Sequence, residues 1–219
     1  MGQIKEFCGI AGVFNANDAA QHIYYSLHAL QHRGQESTGI VTSTFDERKG
    51  RKVMPFHKDF GRVLDVFSDE TLFQTKLMGR AGIGHNRYST SGSSQNRSNI
   101  QPFVVNYRDG NLALAHNGNL SNARELRDSL IERGTLFQTT SDSELILHLI
   151  AQSPRRKQID KILDALTQVE GAFSLVILTD DSLIAARDPN GFRPLALGRL
   201  GSPNQDGGAA YCVASETCA

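Results

Sequence analysis

The sequence carries no excess of charge of either sign. Its 219 residues include 23 Lys and Arg and 23 Asp and Glu, so the formal net charge at pH 7 is zero. Proteins that bind nucleic acid or an anionic membrane through their surface typically carry a basic excess. The composition therefore gives no electrostatic reason to expect nucleic acid or a membrane as a partner.

The sequence also lacks long apolar runs. No uninterrupted apolar segment approaches the roughly 20 residues that a transmembrane helix needs. Residues 1–7 contain no apolar stretch of the kind found in a secretory signal. Gly2 does not begin a myristoylation motif, because Glu6 stands where that motif has Ser or Thr. We therefore predict neither a membrane span nor secretion.

Cysteine is scarce as well. Cys8, Cys212 and Cys218 are an odd number of cysteines without clustered spacing. A disulfide framework normally uses an even number of cysteines in an oxidising compartment. The cysteine content therefore favours a reducing, cytoplasmic location.

The order of helix-like and strand-like segments predicts an α+β fold. The length is sufficient for one substantial core and is consistent with a single domain. Strands occur in runs, and helices are segregated from them, so we expect antiparallel sheets covered by helices and not a doubly wound parallel sheet. Apparent capping boxes at Asn122 and Ser141 begin two of the helices. The expected helices are 18–32, 122–133, a segment between Ser141 and Pro154, and 159–166, and the expected strands are 8–14, 39–45, 53–56, 81–84, 103–107, 112–115, 172–178, 183–186, 195–200 and 209–214.

Cys8 is the first candidate for chemistry. An isolated Cys near a strand is commonly a small buried hydrophobic residue, but Cys8 precedes Gly9-Ile10-Ala11-Gly12, where the backbone can approach a ligand. Removal of residues 1–7 would leave Cys8 with a free α-amino group. Reference pKa values are about 7.7–8.0 for that amine and about 8.5 for the thiol, so the amine can accept the thiol proton near neutral pH.

Arg87 stands at the expected end of a strand, in a hydroxyl-rich segment that continues to Gly92. A guanidinium in such a place suits bidentate capture of a carboxylate. The alternative is a surface Arg in a polar loop.

Asn117 and Gly118 follow another expected strand. The Asn-Gly dipeptide by itself favours an ordinary tight turn. The functional alternative is an oxyanion hole, because an Asn side-chain amide and a Gly backbone N–H can both donate to an oxygen that becomes negative during acyl transfer.

Asp142 lies in the apparent capping box Ser141-Asp142-Ser143-Glu144. Capping is one role for this segment, and the Asp142 carboxylate could also bind an ammonium group at the helix start. Three more segments are too particular for ordinary loops, and only the second has a local interpretation, a Pro-Asn-Gly turn. They are Gln31–Gly39, Asp188–Pro194 and Ser215–Cys218.

Five short motifs, taken in order, resemble those of the class II glutamine amidotransferases. Each motif is weakly specific alone, but the five in this order are highly specific, and the resemblance extends from Cys8 to Ala219. The motifs are Cys8-Gly9-Ile10, His32-Arg33-Gly34, Gly84–Thr90, His116–Asn119 and Ser141–Glu144.

This resemblance implies a four-layer αββα N-terminal-nucleophile fold over residues 8–219, with residues 1–7 as a leader. It also implies that L-glutamine is the substrate and that Cys8 forms a glutamyl thioester with it. Asn117 and Gly118 would form the oxyanion hole.

The resemblance assigns the remaining substrate contacts as well. Arg87 would hold the α-carboxylate of glutamine, and Asp142 its α-ammonium group. Tyr88 and Thr90 would line the pocket.

Two segments, Arg187–Leu195 and Ala214–Ala219, resemble one branch of the class, the amidophosphoribosyltransferase family. In that family, ammonia passes to a C-terminal phosphoribosyltransferase domain that binds phosphoribosyl pyrophosphate and Mg²⁺, and 5-phosphoribosylamine enters purine synthesis. The sequence to Ala219 shows no such domain and ends directly after an expected strand. We therefore expect a piece of a longer, homo-oligomeric enzyme that cannot make phosphoribosylamine by itself.

Cys218 has three interpretations. A buried thiol is the default for an isolated Cys, and a second nucleophile is disfavoured because no His is near it in the sequence. The resemblance implies a third, since some amidophosphoribosyltransferases with a leader hold a [4Fe–4S] cluster through a Cys in this segment. A cluster needs four thiolates, so we expect Cys218 to be one ligand in the full-length protein and this chain alone to bind none.

Two other functions stay open from the sequence. One is the glutaminase domain of a sister enzyme, such as glucosamine-6-phosphate synthase, asparagine synthetase or glutamate synthase. The other is a non-catalytic glutamine-binding domain, which retention of residues 1–7 would favour. The intact set of Cys8, Arg87, Asn117 and Asp142 argues against that second alternative.

Overall fold

The computed structural model describes residues 8–88, 96–201 and 208–219. Residues 1–7 and Thr90, for which the sequence suggested a leader and a pocket position, lie outside these ranges. Within them, no helix combines the length and the apolar character that crossing a membrane requires.

The described chain alternates runs of strands with groups of helices, as expected. Its strands are β1 (Gly9–Phe14), β2 (Ser37–Asp46), β3 (Arg51–Val53), β4 (Phe56–Phe60), β5 (Ala81–Arg87), β6 (Phe103–Tyr107), β7 (Gly110–Leu120), β8 (Gly171–Thr179), β9 (Leu183–Arg187), β10 (Ala196–Leu200) and β11 (Ala210–Ala214). Its helices are α1 (Ala19–Ala29), α2 (Val63–Val66), α3 (Leu72–Thr75), α4 (Ala123–Glu132), α5 (Ser143–Gln152) and α6 (Gln158–Leu166).

The strands form two antiparallel sheets. The first has the order β10-β11-β1-β5-β2-β3, with β4 also paired to β2, and the second has the order β6-β7-β8-β9. Alternate residues of each strand point to opposite faces, so each sheet has an inner and an outer face. A cluster of mostly small and β-branched side chains joins the inner faces, and its buried members are Ile10, Val41, Met54, Ile83, Ala113, Ala115, Val176, Leu178 and Val213.

Helices cover both outer faces. Ile23 and Leu27 of α1 pack on the first sheet, and α4, α5 and α6 cover the second sheet, where Leu112 and Leu114 of β7 point outward into the helical layer. The α+β, four-layer αββα prediction is therefore confirmed.

Gly84 permits α1 to approach β5 closely. A Cβ atom built on Gly84 would lie 2.5 Å from Cγ2 of Ile23 and 2.8 Å from Cδ1 of Leu27, both in α1. A larger residue would push the helix off the strand whose last residue is Arg87. The glycines of β5 thus help to position the site.

One predicted strand, 53–56, was wrong. The chain bends there instead, with β3 ending at Val53 and β4 beginning at Phe56. Pro55 lies between them, and because proline has no backbone N–H it interrupts a strand ladder. Its carbonyl accepts a hydrogen bond from the Thr42 amide at 3.1 Å. The short helices α2 and α3 were not predicted.

Neither expected capping box forms. The Asn122 side chain bonds to the Gln168 carbonyl at 2.9 Å and to the Glu170 amide at 3.1 Å, so it does not cap α4. The Glu144 carboxylate accepts the amides of Gln138 and Thr139, each at 2.8 Å. These side chains join separate segments, a function that a local motif cannot reveal.

The interpretation of Asn117-Gly118 as a turn was also wrong. Both residues lie inside β7, where Asn117 pairs with Ser174 and Gly118 with Phe173 of β8. The long ladder with β8 overrides the local turn preference of the Asn-Gly pair.

Candidate active site

Most of the candidate residues line one cleft. Cys8 directly precedes β1, Arg87 ends β5 and Tyr88 follows it. Asp142 comes from the segment before α5. Asn117 and Gly118 reach the same cleft from β7 of the other sheet. The volume, ≈ 210 Å³, suits a small ligand, because sites for drug-sized molecules are roughly 300–1,000 Å³.

Cys8 is held where the two central strands of the first sheet meet. Gly9 pairs with Asn86, so the start of β1 lies beside the end of β5. The Cys8 carbonyl accepts a hydrogen bond from Nε of the buried Arg33 at 2.9 Å. The partly exposed Cys8 therefore has a defined backbone position at the edge of the cleft.

Asn117 offers an uncommitted donor to the cleft. The residue is 1% exposed, and its side-chain nitrogen Nδ2 has no hydrogen-bond partner among the described residues. A buried donor without a partner costs about 1–3 kcal/mol, and active sites can retain this cost when the ligand supplies the missing acceptor. The arrangement supports the oxyanion-hole interpretation.

Gly118 must be glycine for steric reasons. A Cβ atom at this position would lie 2.2 Å from the Ala172 carbonyl oxygen and 2.9 Å from Nε2 of His116. Any side chain would force β7 and β8 apart at the cleft. The backbone of Gly118 can therefore approach a ligand only because no side chain is present.

Arg87 has one acidic neighbour that the sequence did not suggest. Its Nε lies 3.8 Å from Oε2 of Glu36, and its Nη1 donates to the Asn99 carbonyl at 3.4 Å. These contacts are long, and both Glu36 carboxylate oxygens are buried without a hydrogen-bond partner in the described parts of the chain. The guanidinium is thus oriented while retaining capacity for a bound carboxylate.

Asp142 is an anion at neutral pH. Burial raises the pKa of its carboxyl group, but the neighbouring His116 and the hydrogen bond from the Leu120 amide lower it more, so the net shift is downward. Oδ2 accepts the Leu120 amide at 2.9 Å, and Oδ1 lies 3.6 Å from Nδ1 of His116. The cleft therefore carries a cation, Arg87, and an anion, Asp142.

A buried polar network supports this part of the site. The Gln101 side chain accepts the His116 amide at 2.7 Å and donates to Oγ of Ser143 at 3.2 Å. Nδ1 of His116 lies 2.8 Å from the same Ser143 oxygen. Sequence reasoning missed Gln101 and Ser143 as site residues. Gln101 has no local signal at all.

His32-Arg33-Gly34 and Ser215–Cys218 meet behind Cys8. Nη1 of Arg33 donates to Oε1 of Glu216, and Nε2 of His32 lies 3.1 Å from Oε2 of the same carboxylate. These two segments therefore adjoin Cys8, whose carbonyl Arg33 contacts.

Asp188 organises another of these segments, Asp188–Pro194, as a turn. Its buried carboxylate accepts the amides of Asn190, Phe192 and Arg193 at 3.0 to 3.2 Å. The predicted Pro-Asn-Gly turn is confirmed, and its role is structural.

Cys218 is exposed, so its interpretation as a buried thiol is wrong. Its Sγ contacts Oε2 of Glu216 at 3.6 Å. Cys212 lies in β11, and burial raises the pKa of its thiol. In the described ranges, no group of three or more His, Cys, Asp or Glu side chains is placed to hold a metal ion. Cys218 could therefore supply one thiolate to a cluster, but the described residues do not complete a cluster site.

Comparisons with known proteins agree with this geometry. Residues 85–219 match the family described as glutamine amidotransferase domain. The chain is 47% identical over 215 residues to amidophosphoribosyltransferase 2, chloroplastic, of Arabidopsis thaliana, a match that covers 98% of this chain and 36% of that protein. It is 42% identical over 217 residues to amidophosphoribosyltransferase of Bacillus subtilis, covering 99% of this chain and 42% of that protein.

A solved structure is similar as well. Glutamine phosphoribosylpyrophosphate amidotransferase from B. subtilis, complexed with ADP and GMP, superposes with a TM-score of 0.83 at 40% identity, covering 96% of this chain and 42% of that chain. The chain thus spans about two fifths of the length of these relatives.

Acid should destabilise the fold through His85. Burial holds the pKa of this imidazole at about 3; the hydrogen bond to the His116 carbonyl raises the pKa, but too little to restore its ordinary value of 6.5. Between pH 6.5 and 3, the unfolded state binds a proton that the folded state does not bind. The free energy of unfolding should therefore fall with decreasing pH, by up to about 1.4 kcal/mol per pH unit.

Urea unfolding of the unmodified chain and of His85→Gln at pH 7, 6 and 5 checks this expectation. The variant lacks the titrating imidazole and should lose less stability over the same range. Equal losses in the two proteins would show that other groups cause the acid sensitivity.

Proposed function

The chain belongs to the glutamine amidotransferase domain family, and we propose that it is the glutaminase part of an amidophosphoribosyltransferase. One observation carries this proposal: the backbone of Gly118 and the buried amide of Asn117, which has no partner in the described ranges, line the same cleft as Cys8. A nucleophile facing two hydrogen-bond donors is the arrangement that acyl transfer requires.

The first chemical step forms a thioester. Residues 1–7 are removed as a leader, and the α-amino group of Cys8 then takes the proton of its thiol. The sulfur attacks the side-chain carbonyl carbon of L-glutamine, and a C–S bond forms. The carbonyl oxygen becomes negative and accepts hydrogen bonds from Nδ2 of Asn117 and from the Gly118 amide.

The second step releases ammonia. As the tetrahedral intermediate collapses, the C–N bond breaks and the nitrogen leaves with the proton held by the Cys8 amine. Water then attacks the thioester carbonyl, the C–S bond breaks, and glutamate and the free thiol are regenerated. Reversible proton transfer at one amine thus serves both halves of the reaction.

The two charged ends of glutamine match the charges of the cleft. Arg87 binds the α-carboxylate, and the anionic Asp142 binds the α-ammonium group. Tyr88 lines the cleft beside Arg87, and Thr90 is proposed from the sequence alone. The proposed pairings place the side-chain amide of the substrate towards Cys8.

The acceptor of the ammonia is proposed from the relatives. Their names specify phosphoribosyl transfer, which favours an amidophosphoribosyltransferase over the sister amidotransferases. A phosphoribosyltransferase domain that uses phosphoribosyl pyrophosphate with Mg²⁺ would then lie in the part of the enzyme that this chain does not cover. Homo-oligomeric assembly and a cytoplasmic location stay predictions. The Arabidopsis relative is described as chloroplastic.

Replacement of Cys8 by Ala should abolish glutamine hydrolysis in chains that begin at residue 8, while the melting temperature stays near that of the parent. A glutamine-analogue electrophile should add one adduct, on Cys8, and Cys212→Ala serves as the matched control with full activity. Chains that retain residues 1–7 should be inactive, because Cys8 then lacks a free amine. Full activity in chains whose intact mass shows that residues 1–7 are retained would falsify the N-terminal-amine mechanism.

Substitutions at Asn117 and at Arg87 should impair glutamine hydrolysis in different ways. Asn117→Ala removes an oxyanion donor and should lower kcat by roughly 10²–10³-fold with a small change in KM. Arg87→Ala removes the partner of the substrate carboxylate, so transition-state stabilisation should fall by about 2–3 kcal/mol. The resulting decrease in kcat/KM should come mainly from a higher KM. Arg108→Ala, which removes an exposed guanidinium outside the cleft, is the control. An unchanged KM in Arg87→Ala would move the carboxylate site elsewhere.

Cys218 is proposed as one thiolate ligand of a [4Fe–4S] cluster in the longer enzyme. Its exposure supports a ligand that is shared with other segments. Iron and sulfide analysis of anaerobically purified full-length protein should give about four of each per chain. Cys218→Ser should abolish both, and colourless, fully active parent protein would contradict the proposal.

A further inference from the structure

Glu216 lies outside the cleft but is connected to the nucleophile through a single side chain. We propose that Glu216 is a positioning residue for Cys8, acting through Arg33. The proposal rests on the proposed function of Cys8 as the nucleophile. It concerns a residue that does not touch the substrate.

The connection runs through the two sides of the Arg33 guanidinium. Nε donates to the Cys8 carbonyl at 2.9 Å, and Nη1 donates to Oε1 of Glu216. The Arg33 side chain is 7% exposed and that of Glu216 is 31% exposed. Because the guanidinium is planar and rigid, the position of the carboxylate determines the direction in which Nε points.

Glu216 is itself held relative to Cys8. The preceding residue, Ser215, accepts the Ile10 amide with its Oγ and donates its own amide to the Ile10 carbonyl, both at 3.0 Å. Ile10 is two residues from Cys8. The segments that carry the carboxylate and the nucleophile therefore meet at Ile10 of β1, and the Arg33 side chain contacts both of them.

The charge of Glu216 also acts on Cys8. The Glu216 carboxylate forms an ion pair with the Arg33 guanidinium. It offsets the positive charge of Arg33 beside the nucleophile. Loss of that negative charge would favour the thiolate and the neutral amine of Cys8, and would lower the pKa of both groups.

Other titratable groups surround this arrangement. His32 and Cys218 contact the Glu216 carboxylate on its outer side. His85, Arg87, His116 and Asp142 line the cleft with Cys8. A change at Glu216 also removes the contacts of its carboxylate with His32 and Cys218, so the His32→Gln variant is needed to separate a lost His32 contact from the Arg33 connection.

Two substitutions separate geometry from charge. Glu216→Gln keeps an oxygen that can accept from Arg33 but removes the negative charge, whereas Glu216→Ala removes both. His32→Gln is the matched control, because His32 contacts the same carboxylate from the exposed side. Each variant, as a chain beginning at Cys8, is assayed for kcat and KM with glutamine, melting temperature, and the pH dependence of Cys8 alkylation by iodoacetamide.

Glu216→Ala should lower kcat by about 10- to 100-fold with little change in KM, as expected when a reacting group is misplaced by a fraction of an ångström to one ångström. Glu216→Gln should lose less activity, and its alkylation profile should shift to lower pH. His32→Gln should retain the parent profile and kcat. Arg33→Lys should not rescue positioning, because a single ammonium lacks the two-sided geometry of the guanidinium.

Normal kcat in a folded Glu216→Ala protein would overturn the proposal. If Glu216→Ala does not fold, Glu216→Gln decides, and an unshifted alkylation profile in that variant counts against the proposal. The activity of the Cys8→Ala variant separates this inference from the proposed function. If Cys8→Ala retains glutaminase activity, the nucleophile assignment fails; if only the Glu216 variants behave like the parent, the positioning role alone fails.

Discussion

The pairing of β1 with two neighbours is the constraint on which the site depends. Gly9 pairs with Asn86 of β5 on one side, and Ala11 pairs with Ala214 of β11 on the other. A strand slipped by one residue would turn every side chain to the opposite face. This register therefore places Cys8 beside the end of β5 and next to the segment that follows β11, and both neighbours contribute charged groups.

The second sheet contributes Asn117 and Gly118, whose hydrogen-bond donors do not ionise. β7 stays paired with β8 through Asn117 and Gly118, so the backbone at the cleft is rigid where a loop would be mobile. A donor that is buried, unpartnered and held by a ladder needs no reorganisation when negative charge develops near it. Leaving the Asn117 amide without a hydrogen bond lowers the stability of the fold. In return, the donor is already in position for a ligand.

Each charged group of the site has an opposite or polar partner that orients it. Arg87 lies near Glu36, Asp142 near His116, and Arg33 between the Cys8 carbonyl and Glu216. Charges removed from water are costly unless they are paired or hydrogen-bonded. The pairs at Arg87 and Asp142 are long enough to leave capacity for a ligand, whereas Arg33 is fully engaged on two sides. This difference is consistent with the proposed binding roles of Arg87 and Asp142 and with the proposed positioning role of Arg33.

The class of fold and the central candidate residues could be predicted from local sequence patterns and from the family resemblance. Short apolar strand-like segments and segregated helical segments are local patterns, and they were sufficient to predict antiparallel sheets covered by helices. The family resemblance supplied the four-layer arrangement. Cys8, Arg87, Asn117 and Asp142 were recognisable because their motifs follow one another in order. The resemblance supplied their roles, and the cleft brings them together.

How these groups are held follows from the folded arrangement of the chain and could not be predicted from local patterns. The Asn-Gly pair lies in a strand because the ladder with β8 outweighs its turn preference, and Glu144 binds the Gln138 and Thr139 amides instead of completing a capping box. Glu36 and Gln101 gave no local signal of their roles. Arg33 and Glu216 are 183 residues apart in the sequence, and no local pattern encodes a contact at that separation. Such contacts arise from sheet register and from the pairing of buried charges, which exist only in the folded chain.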